Sequence, residues 1–91
     1  MTLDEAFDKF DRENPHVYEL FKRFAFELIG AGYKVVGAEL IIQRIRWETA
    51  IKTQGDRFKI NNNHRSRYAR KFMRDFPQYE GLFRTRRIAG E

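Results

Sequence analysis

Apolar residues recur at intervals of three and four along most of this chain, and this spacing points to a helical architecture more strongly than any other feature. The first such stripe consists of Leu3, Ala6, Phe7 and Phe10. Thr2 precedes the stripe and Glu5 follows three residues later, which is the spacing of a capping box at a helix N-terminus. The pattern therefore predicts a short amphipathic helix within residues 1–13.

A second stripe begins directly after the first. Asn14 and Pro15 suit the N-cap and the first helical position, where the missing N–H of proline costs nothing. The apolar residues of this helix are Val17, Leu20, Phe21, Phe24 and Leu28. Gly30 and Gly32 predict its end, because glycine adopts a positive φ at little cost. Residues 33–36 are then expected to form a short extended segment.

The third predicted helix, about residues 38–51, has apolar side chains on two nearly opposite sides. One side carries Ala38, Ile41, Ile42 and Ile45. The other carries Leu40, Trp47 and Ile51. Such a helix has to be covered on both sides, so it is either the central helix of the domain or one side of it meets a partner. If left exposed, Leu40, Trp47 and Ile51 would form a protein-contact or dimer surface.

The last third of the chain combines a helix with two candidate strands. Residues 54–56 predict a turn and residues 58–60 a short strand. Three asparagines, Asn61, Asn62 and Asn63, predict the start of a fourth helix over about residues 63–76, since asparagine favours caps. Residues 83–88 are expected to form a final strand that pairs with residues 58–60 as a two-stranded β-ribbon.

These elements predict one domain over residues 1–91, mainly α with a small β component. The expected fold is four helices and a short two-stranded β-ribbon, in the succession of a winged helix-turn-helix domain. Residues 14–91 would form the winged-helix-like core, with the helix of residues 1–13 added in front. This assignment is an analogy at the level of fold and does not by itself carry function.

Charge is distributed unevenly along the 91 residues. The net charge is +5, made up of −3 over residues 1–32, +1 over residues 33–56 and +7 over residues 57–91. The chain contains no Cys, which excludes disulfides and Cys-based metal sites and fits a reducing compartment. It also lacks an apolar run of about 20 residues, so neither a membrane span nor a signal-peptide core is expected. The sequence thus predicts a soluble cytoplasmic protein with an acidic partner.

The fourth helix concentrates this positive charge. Arg67, Arg70, Lys71 and Arg74 fall at offsets of 0, 3, 4 and 7, which places them in one stripe. A helix with an apolar back and a basic front is the physical form of a helix that enters a DNA groove, with cations on phosphates and amides near base edges. The predicted nucleic-acid contacts are Asn62, Asn63, His64, Arg67, Arg70, Lys71 and Arg74, together with Arg84, Arg86 and Arg87 at the position of a wing.

Each of these signals also has a structural interpretation that does not involve nucleic acid. The basic stripe can be a solvated face that keeps the protein soluble. The asparagines can serve as caps only, and the C-terminal arginines can be the charges of an edge strand that discourage aggregation. Arg65 lies toward the apolar side of its helix, where it can snorkel or pair with a carboxylate, for example from the acidic first helix.

No pattern in the sequence predicts catalysis, a metal or a cofactor. His16 and His64 lie on different segments, and the chain has no HExxH, GxGxxG or Walker-type spacing. Glu39 and Glu48 have Gln43 and Arg44 as neighbours at helical spacing, which favours ordinary surface pairs over an acid–base dyad. We therefore expect no enzymatic activity and no small-molecule substrate.

Four segments carry a resemblance to a group of small uncharacterised phage- or prophage-type proteins. They are residues 14–17 (NPHV), 45–47 (IRW), 58–62 (FKINN) and 67–70 (RYAR). The resemblance extends over most of the chain and implies a phage or host cytoplasm, with no catalytic residue. Two functions are then expected as alternatives: a DNA-binding module, in keeping with a phage regulator, or a small interaction or inhibitor protein that binds a host protein or forms a homodimer.

Overall fold

The helical prediction is confirmed in a computed structural model of the protein, which describes residues 2–52, 60 and 63–83. The elements are α1 (Leu3–Glu13), α2 (Pro15–Gly30), α3 (Ala38–Lys52), α4 (His64–Asp75) and a short 3₁₀ turn (Pro77–Tyr79). Every helix expected from the spacing of apolar residues is present, with bounds within two residues of those predicted for α1, α3 and α4.

The predicted β component is wrong. Over the described residues the fold is all-α, with no strand or sheet. The β pairing found there is one isolated parallel bridge between Val36 and Phe83, in which the Val36 N–H donates to the Leu82 carbonyl at 2.7 Å. Phe83, expected to pair with residues 58–60, instead meets the α2–α3 connection. The rest of both expected strands, residues 58–59 and 84–88, lies outside the described residues, and nothing supports a winged-helix core.

Local sequence explains how the helices begin and end. The Thr2 hydroxyl accepts a hydrogen bond from the Glu5 N–H at 3.1 Å, as the capping-box spacing predicts. Pro15 occupies the first turn of α2, but the Asn14 side chain does not cap that helix. Its side-chain amide donates instead to the Phe10 carbonyl at 3.0 Å and so caps the C-terminal end of α1. Gly32, with φ of +98°, supplies the left-handed residue that turns the chain after α2.

The core lies between α2, α3 and α4 and is built largely from aromatic rings. Tyr68 of α4 is fully buried at its centre. Its ring lies 5.5 Å from the ring of Phe21 on α2 and 4.8 Å from that of Phe7 on α1, centroid to centroid. α3 contributes one buried side, formed by Ile41, Ile42 and Ile45. Burial of these side chains is the main favourable contribution to folding.

Candidate functional site

The fourth helix exposes only part of its predicted basic stripe, because α1 packs beside it. Arg67 is 8% exposed. Its Nε donates to Asp4 Oδ1 at 2.8 Å and its Nη1 donates to the Asn63 carbonyl at 2.9 Å. The prediction that Arg67 faces outward is therefore wrong, and this guanidinium holds α1 against α4.

Lys71 is also engaged within the protein. Its ammonium donates to Asp11 Oδ2, and both side chains are largely buried. The same ammonium lies 4.3 Å from the centre of the Tyr18 ring, in cation–π geometry. Lys71 is thus surrounded by groups from α1 and α2 that balance its charge.

The carboxylates that pair with this stripe were visible in the sequence as an acidic first helix. From the sequence, pairing with a carboxylate of that helix is one of the two roles expected for Arg65, and it is expected for no other residue of α4. In the structure Arg65 donates to Glu39 Oε2 on α3 at 2.6 Å. The residues that pair with carboxylates of α1 are Arg67 and Lys71. Spacing along one helix cannot reveal such pairs, because they depend on how α1 is placed against α4.

Two arginines of the stripe lie on the outward side of α4. Arg74 is exposed and Arg70 is half-buried. Asn63 is exposed and Ser66 half-buried, and helical spacing puts both on the same side as the two arginines. The outward side of α4 is defined here as Asn63, Ser66, Arg70 and Arg74. It runs the whole length of the helix, while Tyr68, Ala69 and Phe72 face the core.

His64 does not reach this surface. It is 5% exposed and lies between the rings of Phe7 and Phe10, at centroid distances of 5.6 and 4.9 Å. Among the residues that the structure describes, none forms a hydrogen bond with its Nδ1. Burial, with a smaller effect from the charge of Arg67, lowers the pKa of His64 from its ordinary value. The prediction that His64 approaches base edges is therefore wrong.

Glu39 and Glu48 form the ordinary surface pairs that the sequence predicted. Gln43 donates to Glu39 at 2.8 Å, and the Arg44 guanidinium lies 3.6 Å from Glu48. The hydrogen bond from Arg65, followed by the one from Gln43, lowers the pKa of Glu39. Both carboxylates of α3 therefore contact side chains of opposite charge.

The second apolar side of α3 is open to solvent where the structure describes it. Leu40 is 57% exposed and Trp47 is 66% exposed. Leu40 also lines a groove of about 190 Å³ between α2 and α3. The remaining predicted site residues lie outside the described residues: Asn62, Arg84, Arg86, Arg87 and the side chain of Ile51.

The described part of the chain shows neither a membrane-spanning helix nor a cluster of metal ligands. Within it, none of the helices combines the length and apolarity needed to cross a bilayer. No group of three or more acidic or histidine side chains converges there in a way that suits a metal ion.

Comparison with other proteins leaves the chain without a family assignment. No family model matches it, and neither curated proteins nor solved structures give a match.

Proposed function

We propose that this protein is a non-enzymatic nucleic-acid-binding module that contacts double-stranded DNA through the outward side of α4 and the arginines of its C-terminal segment. One observation supports the proposal above the others. Arg70 and Arg74 share a solvent-facing side with Asn63 and Ser66, while the opposite side of the same helix is anchored in an aromatic core.

This arrangement has the chemistry that groove binding requires. α4 has 12 residues and is about 18 Å long, and a major groove admits an α-helix. Arginines on its outward side can neutralise phosphates, which fixes position. Amide and hydroxyl groups near its N-terminus can both donate to and accept from base edges. His64, Arg67 and Lys71 are left out of the contact set, because their side chains are buried or largely buried within the fold.

The C-terminal arginines supply the rest of the expected charge. The described residues carry a net charge of +2, so +3 of the total +5 belongs to residues 1, 53–59, 61–62 and 84–91. Arg84, Arg86 and Arg87 are part of that remainder. Their inclusion follows from the sequence alone, and DNA is favoured over RNA on the analogy of a helix in a major groove.

The biological setting belongs to the same proposal. A phage-type regulator in the cytoplasm fits the resemblance carried by residues 14–17, 45–47, 58–62 and 67–70. The Cys-free composition fits that compartment as well. Net positive charge accords with an acidic partner of this kind.

The proposal is tested by binding to duplex DNA across a range of salt. Contacts from Arg70, Arg74 and the three C-terminal arginines make about five phosphate contacts, so log affinity should fall with log salt at a slope of about −4 to −5. Arg70→Gln and Arg74→Gln should each reduce the slope by about 1, and the triple substitution of Arg84, Arg86 and Arg87 by Gln should reduce it by about 3. Fluorescence anisotropy with a labelled duplex measures both affinity and slope.

Arg23 provides the matched control. It is an exposed arginine on α2, away from the outward side of α4. Arg23→Gln should leave the slope unchanged, and a single strand of the same sequence should bind more weakly than the duplex. Absence of binding at about 50 mM salt, or Arg70→Gln and Arg74→Gln variants that bind like the unmodified protein, contradicts the proposal.

A further inference from the structure

The outward side of α3 carries the two most exposed large apolar side chains in the described part of the chain. Leu40 is 57% and Trp47 66% exposed. They are seven residues apart, so they lie on the same side of the helix about 10 Å from each other. Gln43 lies between them and is also exposed. Tryptophan is the residue type most enriched at the energetic centres of protein interfaces, and here it projects from a rigid helix.

A groove adjoins this surface at the Leu40 end. Its walls are Phe24, Leu28, Leu40 and Ile41, and its volume is about 190 Å³. An apolar cavity of about 150 Å³ is large enough to hold a benzene ring. The groove can therefore receive a large side chain from outside.

The mouth of the groove is formed by two oppositely charged side chains, Glu27 on α2 and Arg44 on α3. Glu27 lies 3.8 Å from Arg23, and Arg44 lies 3.6 Å from Glu48, distances longer than those of charge-assisted hydrogen bonds. The Arg44 guanidinium also lies 5.0 Å from the centre of the Phe24 ring. The side chains of Glu27 and Arg44 are both more than half exposed, so each can also meet a partner group of opposite charge.

We propose that a second copy of this chain docks on the outward side of α3, with Trp47 of each copy seated in the groove of the other. Along α3, the projecting ring lies on one side of Gln43, and the groove that α3 shares with α2 lies on the other. A two-fold axis beside Gln43 sets the two α3 helices antiparallel and exchanges the ring and the groove, which is the self-complementary contact that a symmetric dimer requires. The same operation brings Arg44 of one copy toward Glu27 of the other.

The dimer is expected to be weak. A face about 22 Å long and two helices wide, about 20 Å, offers roughly 400 Å² per copy, compared with about 800 Å² in a standard interface. Association is therefore expected at high micromolar concentration. This inference does not depend on nucleic-acid binding, since Arg70 and Arg74 lie on a different helix.

Trp47 is the single tryptophan of the chain and reports directly on its own burial. Sedimentation velocity from about 10 μM to about 1 mM should show a monomer that converts to a dimer, and Trp47 emission should shift to shorter wavelength over the same range. Trp47→Glu and Leu40→Glu should each weaken association at least about tenfold, because they place a charge in the apolar contact. Both positions are exposed, so circular dichroism should show an unchanged helical fold.

Tyr33→Glu is the matched control, because Tyr33 is an aromatic residue of similar exposure outside α3. It should dimerise like the unmodified protein. Glu27→Arg and Arg44→Glu should each weaken the dimer, and combining them should restore association to within about threefold, since each charge then meets its opposite across the interface. A protein that stays monomeric to about 1 mM, or Trp47→Glu and Leu40→Glu variants that dimerise unchanged, overturns the proposal. A double variant that does not regain association overturns the antiparallel arrangement of the two α3 helices.

Discussion

His64 illustrates how a single side chain can change its role once the chain is folded. It begins α4, and its ring lies against Phe7 and Phe10 of α1. An imidazole in this position costs more when charged than when neutral, because burial removes water and Arg67 adds a nearby positive charge. His64 is therefore part of the contact between two helices, and that contact is sensitive to protonation.

This environment predicts a loss of stability in mild acid. The pKa of His64 in the folded protein lies below its ordinary value of 6.5, so the unfolded chain binds this proton at a higher pH than the folded one. The free energy of unfolding should be constant above about pH 7.5 and should fall as pH drops below about 6.5, by at most about 1.4 kcal/mol per pH unit for one proton. Urea unfolding from about pH 5.5 to 7.5 measures the slope.

Two substitutions separate His64 from other sources of pH dependence. His64→Gln should remove the slope in this range, whatever its effect on absolute stability. His16→Gln, at an exposed position on α2, should retain it. A His64→Gln variant with the slope of the unmodified protein would show that the burial of this ring does not govern stability in acid.

At the scale of elements, α1 contacts α4 through two ion pairs and through the rings of Phe7 and Phe10. Asp4 pairs with Arg67 and Asp11 pairs with Lys71, and Phe7 inserts between these positions. The Asp4 side chain is 80% exposed, whereas that of Asp11 is only 17% exposed. An attraction between charges is stronger when water is excluded, so the second pair should contribute more.

The two pairs therefore predict unequal effects of neutral substitutions on α1. Asp11→Asn should lower the free energy of unfolding by about 1–2 kcal/mol, because it leaves the largely buried Lys71 without its carboxylate. Asp4→Asn should cost less than about 1 kcal/mol, because Asp4 is largely exposed and the buried Arg67 keeps its hydrogen bond to the Asn63 carbonyl. Asp8→Asn, an exposed change on the same helix, serves as the control and should stay within about 0.5 kcal/mol. Equal stabilities of the Asp8 and Asp11 variants in thermal unfolding would contradict this ranking.

For the molecule as a whole, the packing divides into a core and an outer helix. α2 and α4 each bury several side chains, and α3 buries three isoleucines between them. In α1 the single buried side chain is Phe7. A helix of 11 residues is marginal in water by itself, so α1 depends on these few contacts for its order.

This division predicts that α1 opens before the core. In hydrogen–deuterium exchange followed by mass spectrometry, amides of α1 should exchange at least about tenfold faster than those of α2 and α4, a difference of about 1.4 kcal/mol in opening free energy. Asp11→Asn should widen the gap and Asp8→Asn should not. Equal protection of α1 and α2 would mean that the whole chain opens in one step.

The sequence by itself determined the four helices, the cap at Thr2, the start of α2 at Pro15 and the double-sided character of α3. These follow from the helical repeat and from backbone preferences, which act between residues a few positions apart. The expected β-ribbon is wrong. Of its residues only Ile60 and Phe83 are described, and these two do not pair. Phe83 bridges to Val36, and no local pattern favours that partner over residues 58–60.

Only the tertiary structure decided which cations of α4 are buried within the fold. Asp4 and Asp11 lie at least 60 positions from Arg67 and Lys71 in the chain, so their pairing depends on where α1 docks against α4. The same docking buries His64 and leaves Arg70 and Arg74 facing outward. The charge pattern of one helix shows which side chains share a face. How many of them stay exposed to solvent depends on the helix that packs beside it, because attraction between charges depends on distance in space and not on separation along the chain.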